Sequence, residues 1–272
     1  MDAVGTARAT LKRARRLVGR AKRRLEGRSN RNPSRRQQPV IPATKPDGTS
    51  IVFLHHSTGW AIWNAGVPEW IDAYNTEHGT DFNAVARAFP HWPHPWVNDP
   101  FDYWRLWTQR RGDNTYLGQE TIEQLAAAYD VIVWKHCFTA AKIDADTGAG
   151  RASSREKTLA DFKVQYAALA EQMGRHADTE FLVWTVPPRA PGATNPQQAA
   201  RATEFARWVR DEWQRPANVH IFDYHELAAP GGTLRADYPK SRGDSHPTRS
   251  FAEEVAPVFA QRIVDVAARA AV

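Results

Sequence analysis

The chain has 272 residues, 42% of them hydrophobic and 24% charged, with eleven Trp and a formal net charge of +6. That describes one large globular domain or two small ones, with enough chain to bury a sizeable core. The single cysteine, Cys137, excludes an internal disulfide framework, and no apolar run reaches the ~18 residues that would span a bilayer.

The charge is unevenly placed. Residues 1–40 carry 13 Lys/Arg against Asp2 and Glu26, a net of +11, so the remaining 23 basic and 28 acidic residues leave the body at −5. In residues 1–28, Val4, Ala7, Leu11, Ala14, Val18, Ala21 and Leu25 recur at alternating spacings of four and three, giving an apolar seam on an otherwise basic helical arm. Residues 29–49, rich in Pro, Ser, Asn and Arg, read as a linker. The arm is either a solvated basic tail or a helix that contacts an anionic membrane surface, an anionic polymer or a partner helix. Nucleic acid ranks below these, because nothing in the body resembles a nucleic-acid module. No apolar h-region follows the N-terminal basic residues, so the expected compartment is the cytoplasm, with the arm allowing a peripheral membrane contact.

From residue 50 onward, apolar runs alternate with amphipathic stretches. Strands are expected at Ile51–His55, Asn83–Phe89, Val131–Lys135, Phe181–Thr185 and Val219–Asp223. Helices are expected at Pro68–Glu77, Gln119–Tyr129, Ser154–Ala177, Pro196–Trp213 and Ser250–Ala270. Continuous apolar strands such as VIVW and FLVW suit a sheet buried on both faces. The alternation predicts an α/β fold in which a doubly wound parallel sheet of about five strands lies between two helical layers over residues 50–272. In such sheets the ligand crevice lies outside the carboxyl ends of the strands.

The expected strand exits are polar. The first run ends in HHSTG (55–59), the third in KHCFTA (135–140), and RGDSHPTRS (242–250) precedes the last helix. Polar residues at these exits fall where an α/β crevice would build its chemistry, and a serine hydroxyl becomes a nucleophile when an imidazole accepts its proton. Alone, Ser57 also suits a helix N-cap. Successive strand residues face opposite sides, so His56 is the histidine placed to meet a substrate and His55 the one placed to pack internally. Cys137 reads as a small buried residue.

A serine directly after the first strand, followed by a DSHP element before the C-terminal helix, resembles the SGNH (GDSL-type) hydrolase superfamily. A less characterised branch with HHSTG, DYW-x-LW, YDVIVWKHCF and DSHP segments is similar along residues 51 to about 270. The resemblance implies a flavodoxin-like sheet and a cofactor-free serine esterase or deacetylase, with Ser57 as nucleophile, His246 as base and Asp244 as its orienting carboxylate. The expected substrate is a small-molecule or glycan ester. The family's Gly and Asn blocks, which donate to the oxyanion, have no clear equivalent here. Lys135, His136 and Asn98 are the substitutes considered, and Asp244 stands two residues before His246 where the family has three.

Residues 88–107, AFPHWPHPWVNDPFDYWRLW, contain four prolines and read as a shaped loop. Their Trp92, Trp96, Trp104 and Trp107 form either a hydrophobic cluster under that loop or a platform for a sugar face. His91 and His94, with His55, His56, His136, Asp244 and His246, raise zinc as a further alternative, although no HExxH or paired CxxC accompanies them. A non-catalytic glycan-binding or scaffold protein on the same fold is the other alternative.

Overall fold

In a computed structural model of the chain, residues 47–91, 96–109, 112 and 115–270 are described. The basic arm and the linker before residue 47 lie outside them. β1 (Thr49–His55), β2 (Phe82–Ala88), β3 (Val131–Trp134), β4 (Glu180–Trp184) and β5 (Val219–Phe222) form one sheet in the order β2-β1-β3-β4-β5. Every neighbouring pair is parallel. This is the flavodoxin-like order of the doubly wound α/β class, as expected.

The strands alternate residue by residue between two cores. Val52, Leu54, Ile132, Trp134, Phe181 and Val183 face α4 (Ile122–Ala128), α5 (Leu159–Gly174) and α6 (Pro196–Asp211). Ile51, Phe53, Val131, Val133, Leu182 and Trp184 face α1 (Ser57–Trp63), α2 (Val67–His78) and the C-terminal α8 (Arg249–Ala270). Local chemistry fixes the helix starts. Thr121 and Gln124 make a capping box on α4, Thr158 accepts from Asp161 N–H at α5, and Asn195 accepts from Gln198 N–H just before Pro196 opens α6.

Three parts depart from the sequence expectation. Ser57 is the first residue of a seven-residue helix, whose N-cap is His56. The aromatic segment contains α3 (Pro100–Trp104) and a π-helical turn at Arg105–Gln109. Asp99 caps α3 and Pro100 occupies its first turn, where a missing N–H costs nothing. Third, DSHP, which was not among the expected strands, lies in β7 (Asp244–Pro247), the second strand of an antiparallel hairpin with β6 (Pro239–Ser241). The short α7 (Tyr224–Ala228) also follows β5.

Trp184 is fully buried and stacks on Tyr224 (4.6 Å) and Phe53 (5.3 Å), with Phe259 at 4.7 Å on edge. Trp184→Ala is therefore expected to cost about 3–5 kcal/mol in denaturant unfolding, through lost burial and the cavity left behind.

The β1 exit adds a pH dependence. His55 is 3% exposed, and burial, then the proximity of Lys135, lowers its pKa from 6.5 to about 3. The unfolded chain takes up this proton near pH 6.5, whereas the folded chain refuses it until about pH 3. Stability is thus fully present above the unfolded value and falls as pH drops through it. Between pH 7.5 and 5 this group is expected to remove about 2 kcal/mol. Urea unfolding at the two pH values should show that loss reduced in His55→Phe, and an unchanged pH difference would exclude His55 as its source.

Candidate active site

The geometry starts with strand register. β1 and β3 pair Ile51 with Val131 and Leu54 with Trp134, an offset of 80 residues. Carried three residues past the last pair, that offset sets Ser57 against Cys137, and Ser57 Oγ lies 3.7 Å from Cys137 Sγ. The N-cap of α1 is His56, in extended conformation, and Ser57 is the first helical residue. Its hydroxyl is therefore not a cap and stands exposed. The N–H groups of a first helical turn have no intrahelical acceptor, which leaves the Ser57 N–H available beside its own hydroxyl.

Gly59 explains the rest of HHSTG. A Cβ there would stand 2.6 Å from His55 Cβ, 2.9 Å from Phe53 Cζ and 3.0 Å from Lys135 Cδ. Only glycine lets α1 settle this closely on the β1 and β3 exits. Trp60 stacks on the His55 ring at 5.5 Å while remaining 36% exposed.

His246 stands on β7, against which α1 packs. The Asp244 carboxylate accepts from His246 Nδ1 at 2.5 Å and from the His246 backbone N–H at 3.0 Å. The two-residue spacing therefore brings the carboxylate onto the imidazole, by folding it back within one strand. The His246 N–H and ring bonds hold Asp244 below the usual carboxylate range. Because Nδ1 is occupied, Nε2 is the nitrogen left to exchange a proton. Phe138 meets the His246 ring edge-on at 5.1 Å. Ser57 Oγ makes no hydrogen bond to His246; its partner is the Cys137 thiol.

The other sequence candidates occupy different places. His56 is half-buried with Nε2 2.8 Å from the Pro90 carbonyl, which makes Nε2 the donor. Burial, followed by Lys135, lowers its pKa to about 4, so the ring is neutral at pH 7. Lys135 and His136 are fully buried, and neither Lys135 Nζ nor either His136 nitrogen has a hydrogen-bond partner. Burial lowers the pKa of both. Neither side chain has exposed surface, whereas the Ser57 hydroxyl stands exposed.

Asn98 is buried in a left-handed conformation, φ 59°. Its Nδ2 donates to the Phe89 carbonyl at 2.9 Å, and its Oδ1 accepts the Cys137 N–H at 2.5 Å. Asp102 in turn accepts the backbone N–H groups of Val97 and Asn98 at 2.7 and 2.8 Å. Burial, then Asp99, raises its pKa to about 6. Asn98 is a clamp between the exits of β2 and β3 rather than a donor facing Ser57. Sequence reasoning missed this clamp and the Phe138 wall. The signal for the clamp was NDPFD, an Asp cap and Pro start that force a tight turn at Asn98.

The aromatic segment is mostly core. Tyr103 and Trp107 are fully buried and pack with Phe89 and Trp134, and Trp104, 7% exposed, meets Phe101. These rings offer no open face to a sugar; Trp92 and His94 lie outside the described residues. His91 faces Glu120 at 3.5 Å. Among the described residues no group of three or more His, Cys, Asp or Glu is placed to hold a metal ion, and none of their helices is long and apolar enough to cross a membrane.

No protein-family model and no curated protein matches the chain. Among solved structures, a psychrotrophic esterase from Pseudoalteromonas sp., inhibited by monoethylphosphonate, is similar at 11% identity and a TM-score of 0.43, covering 81% of this chain and 97% of that one. A gut microbial diltiazem-metabolizing enzyme gives 12% identity and a TM-score of 0.39 over 85% of this chain and 49% of its own. A carbohydrate esterase, described as having divergent catalytic and non-catalytic binding functions, gives 13% and 0.37 over 82% of this chain and 67% of its own.

Proposed function

We propose that this chain is an SGNH-type serine hydrolase that cleaves an acyl ester, carried by a carbohydrate, glycolipid or smaller alcohol. The observation that carries the reading is the Asp244–His246 pair, bonded through Nδ1 at 2.5 Å, on a strand packed against the helix that Ser57 opens. In the reaction, the Ser57 hydroxyl turns from Cys137 to His246 Nε2 and attacks the ester carbonyl as the imidazole takes its proton. The Ser57 N–H donates to the developing oxyanion. Asp244 stabilises the imidazolium, which then protonates the departing alcohol. Water repeats the sequence on the acyl-serine, releasing the acid and restoring Ser57. Trp60, exposed three residues after Ser57, supplies an aromatic face for a sugar ring. The basic arm would hold the enzyme at an anionic membrane surface or polymer, or bind a partner helix.

A second reading, a glycan-binding or scaffold protein on this fold, is favoured by the Ser57 hydroxyl resting on Cys137 and by Asn98 being committed to backbone partners.

Fluorophosphonate labelling separates the two. The wild-type protein is expected to label and Ser57→Ala not to; labelling that persists in Ser57→Ala would remove Ser57 as nucleophile. Aryl-acetate turnover should fall by roughly 10³-fold or more in Ser57→Ala and His246→Ala, and by a smaller factor in Asp244→Asn. Glycan binding without labelling or turnover would favour the second reading.

A further inference from the structure

Arg189 follows the buried Val186, Pro187 and Pro188 at the exit of β4, where a doubly wound sheet builds its crevice. Its backbone is pinned to the hairpin that carries the Asp244–His246 pair. Ala190 N–H donates to Ser245 Oγ at 2.9 Å, and Gly192 N–H donates to the Arg242 carbonyl at 2.7 Å. The second attachment is too close for a side chain, since a Cβ on Gly192 would stand 2.7 Å from that carbonyl. One residue from the first attachment, Arg189 is therefore held beside the residue that precedes His246.

The side chain itself is unengaged. Its Nε is enclosed without a hydrogen-bond partner, and no described acid forms an ion pair with it. Burial alone lowers its pKa, with no acidic side chain acting in the other direction. By contrast, Arg210, Arg235 and Arg249 each bond a carboxylate, and their pKa values are raised. The neighbouring charges on the hairpin are Lys240, Arg242, Asp244 and His246, and the one carboxylate among them is already occupied by His246. A partly desolvated guanidinium loses hydration without recovering it from a partner, and its planar fork fits a carboxylate or phosphate.

We propose that Arg189 is a specificity-determining residue that binds an anionic group on the substrate, so that the preferred ester carries a carboxylate or a phosphate. This rests on the hydrolase reading. Arg189 takes no part in the covalent steps; it orients the ester over Ser57 by holding the substrate's charge.

The test compares 4-acetoxybenzoate and 4-acetoxyphenyl phosphate with the neutral 4-acetoxybenzamide. The readout is the ratio of kcat/KM for each anion to that for the amide. The ratio for at least one anion should exceed one in the wild type and fall by about tenfold or more in Arg189→Ala and Arg189→Gln, with partial recovery in Arg189→Lys. Whichever anion loses more identifies the bound group. Ratios within twofold of wild type in both truncated variants would overturn the proposal. Should the hydrolase reading itself fail, calorimetric binding of 4-hydroxybenzoate and of 4-hydroxyphenyl phosphate to Ser57→Ala, with and without Arg189→Ala, still tests the subsite. A tenfold weakening for either probe supports it, and equal binding for both refutes it.

Discussion

The close seat of α1 on two buried basic side chains is the constraint on which the candidate site depends. His55 and Lys135 are adjacent strand-exit residues on the same sheet face, and α1 crosses them at Gly59, with no room for a Cβ. The helix axis, and with it Ser57, is thereby set by the height of the sheet rather than by a flexible loop. Any residue with a Cβ at position 59 would lift the first turn or displace Lys135, and either shift acts on Ser57 two residues away. Backbone close approach is one of the uses for which glycine has no substitute.

That seat has an energetic cost. His55, Lys135 and His136 are buried without hydrogen-bond partners, in a row where an apolar strand would ordinarily end. Native structures leave few such groups unsatisfied, and desolvation pushes all three toward the neutral state. A neutral imidazole packs against Phe53, Trp60 and Trp134 far more cheaply than an imidazolium would. The charges that can act on a substrate sit at the rim, on the hairpin and the β4 exit.

The sequence made the fold legible because each strand is a continuous apolar run, and burial on both faces leaves that signature. Ser57 was readable because it follows the end of such a run, and His246 and Asp244 through the resemblance of the DSHP element before the last helix. What was not legible depended on pairing. The meeting of Ser57 with Cys137 follows from the β1–β3 register, which apolar content alone does not determine. Asn98 read as a donor in a loop, but its role is set by two carbonyl and amide groups brought in from β2 and β3. Lys135 and His136 read as polar and hence accessible; only the tertiary packing of Tyr103, Tyr166 and Trp184 shows that they are enclosed.

The two halves of the candidate site are held by different kinds of interaction. The Asp244–His246 pair is local: a carboxylate folded back on the imidazole two residues away, on a hairpin further fixed by Tyr238 O–H donating to the Ser245 carbonyl at 3.1 Å. Ser57 is placed by long-range structure, through a register spanning 80 residues and a helix seated on the sheet. Damage to the sheet can therefore displace Ser57 while His246 and Asp244 stay paired. The resting contact of Ser57 with Cys137 belongs to the long-range half, since the β3 exit supplies the thiol and Asn98 clamps its backbone.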